Sequence, residues 1–172
     1  MKTNAVRYAF LVLMVFILTM PISCSNSKSS EEKLEKIPRF VATDFEGKKF
    51  TDRDFSKVVG IISFVASWCG PCKVELKQIN ELAKKYDKLA VLAVTYEPAE
   101  LMKPIVDSLG VIFPVARVDT SVFEAFGVDR VPARFLVKNG RILAKSFGAP
   151  IPQNAEFKKA LITALSEKVS QK

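Results

Sequence analysis

The sequence contains no histidine and only three cysteines among its 172 residues. Because a structural zinc site takes four Cys or His ligands, Cys24, Cys69 and Cys72 cannot complete one. A c-type haem needs a histidine after the second cysteine of a C-x-x-C pair, and Lys73 stands at that position. We therefore predict neither a metal ion nor a cofactor.

The sequence has fewer acidic than basic residues. It contains 18 Asp and Glu and 26 Lys and Arg, which gives a formal net charge of +8. The basic residues are scattered in short clusters such as Lys48-Lys49 and Lys84-Lys85, and no aromatic side chains alternate with them. A nucleic-acid-binding patch would combine both features on one surface. These lysines are typical of solvated faces, so nucleic acid is not a predicted partner.

The N-terminus carries the pattern of an export signal. Lys2 and Arg7 precede an apolar run over 9–20 that is too short for a comfortable membrane span, so we predict a signal peptide at 1–23. Cys24 directly follows, an arrangement that resembles a bacterial lipoprotein signal and implies a lipidated Cys24 held at a membrane. Pro21 departs from the leucine usual in such signals, and an ordinary cleaved signal is the alternative.

The rest of the chain is predicted to be a linker and one domain. Residues 24–36 are rich in Ser, Lys and Glu and lack apolar periodicity, which is typical of a flexible tether. The remainder, 37–172, has the length of a single domain. With 49% apolar residues in the whole sequence, it can form an ordinary core.

Cys69 and Cys72 lie at the junction of a predicted strand and a predicted helix. The largely apolar run 58–65 is typical of a strand buried on both faces, and apolar residues then recur at helical spacing over 76–82. The start of a helix has unpaired N–H groups and the positive end of the helix dipole, both of which favour an anion. We therefore predict that the pKa of the Cys69 thiol lies below its ordinary value and that Cys69 is a nucleophile.

Cys72 lies one turn further into the predicted helix and close enough to form a disulfide with Cys69. A nucleophile and a resolving thiol within one turn are what thiol–disulfide exchange requires. The alternative is an inert structural disulfide, although closing so short a loop removes little entropy from the unfolded chain.

Downstream of the two cysteines, strands and helices first alternate and then give way to a hairpin. The alternation predicts parallel pairing through right-handed crossovers. Asn139-Gly140 between two strand-like runs is a strong hairpin signal, and a further hairpin is predicted around Glu46-Gly47. Predicted strands cover 39–45, 48–51, 58–65, 89–94, 113–118, 133–137 and 141–147, and predicted helices cover 73–86, 98–109, 121–126 and 153–169. The expected apolar face of the last helix consists of Phe157, Leu161, Ile162 and Leu165.

The pentapeptide Trp68-Cys69-Gly70-Pro71-Cys72 is identical to the active-site motif of thioredoxin, and the chain resembles the thioredoxin superfamily. Its surroundings are more similar to the TlpA/ResA-like branch of exported bacterial thiol–disulfide oxidoreductases, which begin with a segment like Pro38-Arg39-Phe40. The resemblance implies an α/β thioredoxin fold, in which helices flank a central mixed β-sheet. It also implies an N-terminal β-hairpin, and an added helix–strand unit between the C-x-x-C helix and a cis-proline.

The same resemblance assigns roles around the cysteines. It implies that Trp68, Gly70 and Pro71 contact substrate. It implies a cis bond between Val131 and Pro132, with the proline facing the cysteines and Val131 pairing with a substrate strand. A trans proline at the start of an edge strand is the alternative.

Glu75 completes the predicted catalytic set with Cys69 and Cys72. The sequence Cys72-Lys73-Val74-Glu75 matches the Cys-Lys-x-Glu of TlpA/ResA-like proteins, in which the glutamate is linked to proton handling at the buried thiol. Ser63 stands where thioredoxin has a buried aspartate, which leaves Glu75 as the best remaining base. A surface glutamate paired with a lysine is the alternative.

These inferences predict a membrane-tethered thiol–disulfide oxidoreductase that faces the periplasm or the cell exterior. It would reduce disulfides of protein substrates and be re-reduced by a membrane thiol–disulfide electron donor. A disulfide oxidase or isomerase is the first alternative. A thiol peroxidase is another, although Ala66 stands where that class has threonine, and a non-enzymatic binding module would not need two cysteines.

Overall fold

The computed structural model of the protein describes residues 34–148 and 154–167. The predicted signal peptide, Cys24 and most of the predicted linker lie outside the described residues. Within the described ranges, none of the helices has both the length and the apolar character needed to cross a membrane.

The last three residues of the predicted linker, 34–36, contact the edge of the sheet. Lys36 forms an isolated antiparallel bridge with Arg141, and the Arg141 guanidinium donates to the Leu34 carbonyl at 2.8 Å. The Lys145 ammonium lies 2.6 Å from the Glu35 carboxylate. The part of the chain that packs on the sheet therefore begins before residue 37.

The described elements follow the predicted order. They are β1 (Val41–Asp44), β2 (Lys49–Thr51), a 3₁₀ helix (Asp52–Phe55), β3 (Val59–Phe64), α1 (Gly70–Lys85), β4 (Leu89–Thr95), α2 (Ala99–Ser108), β5 (Val115–Arg117), α3 (Thr120–Ala125), β6 (Ala133–Lys138), β7 (Arg141–Phe147) and α4 (Ala155–Glu167). β1 and β2 form the predicted N-terminal hairpin. In the turn between β6 and β7, Asn139 and Gly140 both have positive φ, at 52° and 72°, as a type I′ turn requires.

Within the described residues, seven strands form one sheet in the order β2-β1-β5-β4-β3-β6-β7. β3, β4 and β5 run parallel to one another, and the remaining pairs are antiparallel, so the sheet is mixed as predicted. The added unit consists of α2 and β5. Because β5 pairs with both β4 and β1, it connects the N-terminal hairpin to the rest of the sheet.

Helices cover both faces of the sheet, which explains why every residue of β3 is buried. Ile61 faces α1 and α4, together with the cysteines. Ile62 and Phe64 face the other way, where Phe64 packs edge-on against Phe123 of α3 at a centroid distance of 4.8 Å.

The predicted apolar face of α4 is wrong at one residue. Phe157 and Leu161 are buried, but Ile162 is 52% exposed, and Ala164 is buried instead. Residues 157, 161 and 164 follow the i, i+4, i+7 spacing of one helical stripe. Ile162 lies about 100° around the helix from Leu161, which turns it away from the sheet.

Candidate active site

Cys69 and Cys72 lie at the N-terminus of α1, as the sequence predicted. Cys69 is the N-cap of the helix, Cys72 belongs to its first turn, and the two form a disulfide with a Cα–Cα distance of 5.3 Å. Gly70 and Pro71 between them are exposed. Proline is favourable in the first turn because its missing N–H would have no helical partner there.

A backbone donor at the helix start contacts the sulfur of Cys69. The Cys72 N–H donates a hydrogen bond to Cys69 Sγ at 3.2 Å. Both side chains are nearly buried, with 3% of Cys69 and 1% of Cys72 exposed. The hydrogen bond therefore distinguishes the two sulfurs better than their exposure does, and a donor of this kind favours a negatively charged Cys69 sulfur.

Glu75 is fully buried, so it is not the surface residue that the alternative interpretation assumed. It lies one helical turn beyond Cys72, on the same side of α1. Ser63 of β3 donates its hydroxyl to Glu75 Oε1 at 2.7 Å. Ser63, which was aligned with the aspartate of thioredoxin, therefore binds Glu75, the residue predicted from the sequence to act as the base in place of that aspartate.

Arg134 of β6 also lies beside the carboxyl group of Glu75. This residue was not predicted from the sequence. Its Nη2 lies 2.9 Å from Glu75 Oε2, although the pair lacks the alignment of a hydrogen bond. Arg134 is paired in register with Ser63 on the neighbouring strand. Its guanidinium also lies 5.6 Å from the ring centroid of Phe157 in α4. The side chain is completely buried between the sheet and the two helices.

Burial has the largest effect on the pKa values of Glu75 and Arg134. It raises the pKa of the Glu75 carboxyl above its ordinary value, while the Arg134 charge and the Ser63 hydrogen bond offset part of that rise. Burial also lowers the pKa of Arg134, against the stabilising charge of Glu75. Each charge therefore limits the cost of burying the other.

The segment before Cys69 is held by a second buried carboxylate, which the sequence analysis also missed. Glu97, just after β4, accepts hydrogen bonds from the Ser67 N–H at 2.5 Å and from the Ser67 hydroxyl at 2.8 Å. These contacts fix the chain between β3 and α1 and so fix the position of Cys69.

Trp68 is 68% exposed, so it is not a core aromatic residue. Its indole N–H donates to the Tyr96 hydroxyl at 3.3 Å, and the Tyr96 ring packs edge-on against Phe123 at 5.3 Å. The pair places an aromatic surface next to Cys69.

The Val131–Pro132 bond is cis, which confirms that prediction. The next residue, Ala133, pairs with Phe64, the last residue of β3. Pro132 is buried and Val131 is half-buried. Both residues therefore lie at the end of the sheet from which the chain continues to the cysteines.

The arginine could have been suspected from the sequence alone. Arg134 interrupts an otherwise apolar strand-like run, and a charged residue there needs a buried partner. Glu97 gave no comparable signal, because it follows its strand where polar residues are common.

The comparisons agree on the family. The AhpC/TSA family model matches residues 34–146. The thiol-disulfide oxidoreductase ResA of a Bacillus cereus strain is 32% identical over 168 residues, which cover 91% of this chain and 95% of the relative. The chain belongs to the AhpC/TSA family. Within this thioredoxin-like family it is a homologue of ResA, and its Cys69–Cys72 pair is that of a thiol–disulfide oxidoreductase.

Solved structures place the AhpC/TSA chain in the thioredoxin fold. A candidate thiol:disulfide interchange protein DsbE from Chlorobium tepidum has a TM-score of 0.69 at 25% identity, with 77% of this chain and 96% of that chain covered. A thioredoxin-like protein from Porphyromonas gingivalis has a TM-score of 0.64 at 28% identity, with coverages of 76% and 92%. The predicted fold class is confirmed.

Proposed function

We propose that this protein reduces disulfides of exported proteins, with Cys69 as the nucleophile and Cys72 as the resolving thiol. The observation that supports these roles most is the hydrogen bond from the Cys72 N–H to Cys69 Sγ. A backbone donor stabilises a thiolate in the reduced protein as it stabilises any anion at a helix start.

The reaction takes two exchanges. The Cys69 thiolate attacks one sulfur of a substrate disulfide, forms a mixed disulfide and releases the other substrate sulfur as a thiolate. The Cys72 thiolate then attacks Cys69 Sγ, closes the Cys69–Cys72 disulfide and releases the second substrate thiolate. Two electrons pass from the protein to the substrate, and a membrane dithiol donor restores the reduced pair.

Glu75 handles the proton of Cys72 in this proposal. Cys72 packs among apolar residues such as Leu76 and Ile79, where an isolated thiolate is costly. A carboxylate one turn away can accept the thiol proton when Cys72 attacks and return it when the disulfide is reduced again.

In this proposal the substrate lies across the exposed surface next to the two cysteines. Trp68 and the exposed Gly70-Pro71 provide the contact surface on one side. Val131, held by the cis-Pro132, provides backbone groups for an extended substrate segment on the other. Together these contacts would hold the substrate disulfide at Cys69.

The dipeptide Gly70-Pro71 favours the reducing direction, since it is the dipeptide of thioredoxin. The proposed location follows from the N-terminal sequence: a signal peptide over 1–23 directs export, and a lipid on Cys24 holds the domain at a membrane, facing the periplasm or the cell exterior. A membrane donor could then reach the cysteines.

Two measurements on the full chain test the proposal. Reduced Cys72→Ser protein incubated with insulin should retain an insulin chain on Cys69, detected by mass spectrometry, whereas Cys69→Ser should retain none. The reverse result would exchange the two roles.

A redox titration tests the direction. The Cys69–Cys72 couple should have a potential nearer to that of thioredoxin, about −270 mV, than to that of the oxidant DsbA, about −120 mV. A value close to the latter would identify a disulfide oxidase.

A further inference from the structure

The buried pair of Glu75 and Arg134 is not explained by stability. Removing two charges from water costs free energy that their attraction seldom returns, and apolar side chains of similar volume often serve as well or better. Nε, Nη1 and Nη2 of Arg134 make no hydrogen bond within the described residues, so the charge of Glu75 and the ring of Phe157 are what compensates the guanidinium there. Such a pair suggests a functional reason for placing an arginine in β6.

We propose that Arg134 is a positioning residue for the proton transfer at Cys72, because its charge keeps the Glu75 carboxylate ionised and oriented inside the core. This inference rests on the proposed function, in which Glu75 exchanges that proton. Arg134 would act on Cys72 only through Glu75.

The geometry divides the two oxygens of the carboxylate between two strands. Ser63 of β3 binds Oε1 at 2.7 Å, and Arg134 of β6 lies 2.9 Å from Oε2. Ser63 and Arg134 are opposite each other on adjacent strands. The pairing of β3 with β6 therefore fixes the positions of both groups that contact the carboxylate. The carboxyl group of Glu75 is therefore held by two strands of the sheet. Cys72 lies one turn away from Glu75 along α1.

Among the residues that the structure describes, Arg134 is the one charged side chain paired with the Glu75 carboxyl group. Of the described elements packed around it, β6 contributes Arg134 and β3 contributes the neutral Ser63. Lys73 and Lys77, the charged residues of α1 nearest to Glu75 in sequence, are exposed. α4 contributes the ring of Phe157, while Glu156, Lys158 and Lys159 of that helix are exposed. Arg134 and Ser63 are thus the two groups that lower the pKa of Glu75 against the effect of burial.

The chemical step is a single proton transfer. The Cys72 thiol gives its proton to the Glu75 carboxylate, which leaves a thiolate and a neutral carboxyl, and the thiolate then attacks Cys69 Sγ. Without Arg134 the buried carboxylate would lose its balancing charge and take up a proton from solvent at a higher pH. A protonated Glu75 cannot accept the proton of Cys72, so the second exchange would slow at acidic and neutral pH.

The test uses the full chain with Cys24→Ala, in which Cys69 and Cys72 are the only thiols. Reduced protein is mixed with glutathione disulfide between pH 4.5 and pH 9, and acid quenching with mass spectrometry follows the decay of the Cys69–glutathione adduct. In Arg134→Met the acidic inflection of the decay rate should move upward by at least about one pH unit. Below the inflection, each unit slows the decay about tenfold. Arg134→Lys should restore most of the wild-type profile, and the exposed Arg53→Met is the matched control.

Two results would overturn the inference. The first is a folded Arg134→Met protein whose pH profile coincides with that of the wild type. The second comes from Glu75→Gln/Arg134→Met, which keeps the test valid if the single variant does not fold. Its profile should equal that of Glu75→Gln, and a difference would mean that Arg134 acts independently of Glu75. Failure of the proposed function itself would be distinguishable, because the adduct would then form on Cys72 instead of Cys69 in every variant, or the redox titration would give the potential of an oxidase.

Discussion

At the scale of single residues, the two cysteines differ in their polar contacts more than in their exposure. Cys69 caps the helix and accepts the N–H of Cys72, whereas Cys72 packs against Leu76 and Ile79 and lies one turn from a buried carboxyl group. A thiolate is stabilised in the first environment and destabilised in the second. The order of attack in the proposed reaction follows from this difference.

We therefore expect iodoacetamide to alkylate Cys69 well before Cys72 in the reduced protein at pH 7. The thiolate is the reacting species, and the helix start favours it at Cys69. Peptide mapping after a short exposure measures the ratio of the two labels. In urea the two cysteines should react at similar rates, since the helix is then absent. Preferential labelling of Cys72 in the folded protein would contradict the assignment.

The sequence predicted some residues of the site and not others for physical reasons. The cysteines, Glu75 and Pro132 belong to short motifs or adjoin them, so local spacing was sufficient to find them. Arg134 and Glu97 reach the site only because the sheet brings their strands beside β3. Pairing across strands depends on register, which the sequence specifies only through the whole fold.

At the scale of elements, β3 is central to the fold and has a close contact at Gly60. A Cβ atom added there would lie 2.8 Å from the Phe55 ring and 2.9 Å from the Ala90 carbonyl oxygen. The 3₁₀ helix can therefore pack its buried Phe55 against the sheet only because residue 60 has no side chain.

Gly60→Ala should lower the free energy of unfolding by about 1–3 kcal/mol, the usual cost of forcing extra volume into a packed core. Urea denaturation at pH 7 measures the change. The control is Gly70→Ala, because a Cβ at the exposed Gly70 would have no neighbour within 4 Å. Its effect should stay within about 0.5 kcal/mol. Equal midpoints for the two variants would show that Phe55 can shift without cost.

The ends of helices and strands could be predicted where a glycine or an Asn-Gly pair forms a helix end or a turn. The face of a helix on which a side chain lies was harder to predict. Gly110 and Asn139-Gly140 adopt positive φ at the helix end and hairpin where the sequence placed them. Ile162 was assigned to the wrong side of α4 because four apolar residues fall within 161–165, and only contact with the sheet selects among them.

At the scale of the described domain, the site combines parts of the chain that are distant in sequence. α1 provides the cysteines and Glu75, β3 and β6 hold the Glu75 carboxyl, and Val131–Pro132 lies at the start of β6. These elements occupy the middle of the sheet, where β3 has a hydrogen-bonded neighbour on each side. A rigid centre of this kind suits a reaction that requires sulfur atoms to be placed in line.

The start of the described domain bears on the proposed attachment to a membrane. Residues 34–36 contact β7 through the Lys36–Arg141 bridge and the Glu35–Lys145 ion pair. The predicted linker over 24–36 is therefore too long by the three residues that pack on β7.

This attachment leads to a prediction about the whole molecule. Cells that express the chain and are fed a labelled fatty acid should incorporate the label into the wild type and not into Cys24→Ala. The variant should also move from the membrane fraction to the soluble fraction, because a lipid anchor supplies its binding free energy through buried methylene groups. Cys69→Ala is the matched control: it removes a thiol in the described domain and should keep both the label and the membrane location. An unlabelled, fully soluble wild type would instead indicate an ordinary cleaved signal, and the electron donor would then have to reach a freely diffusing protein.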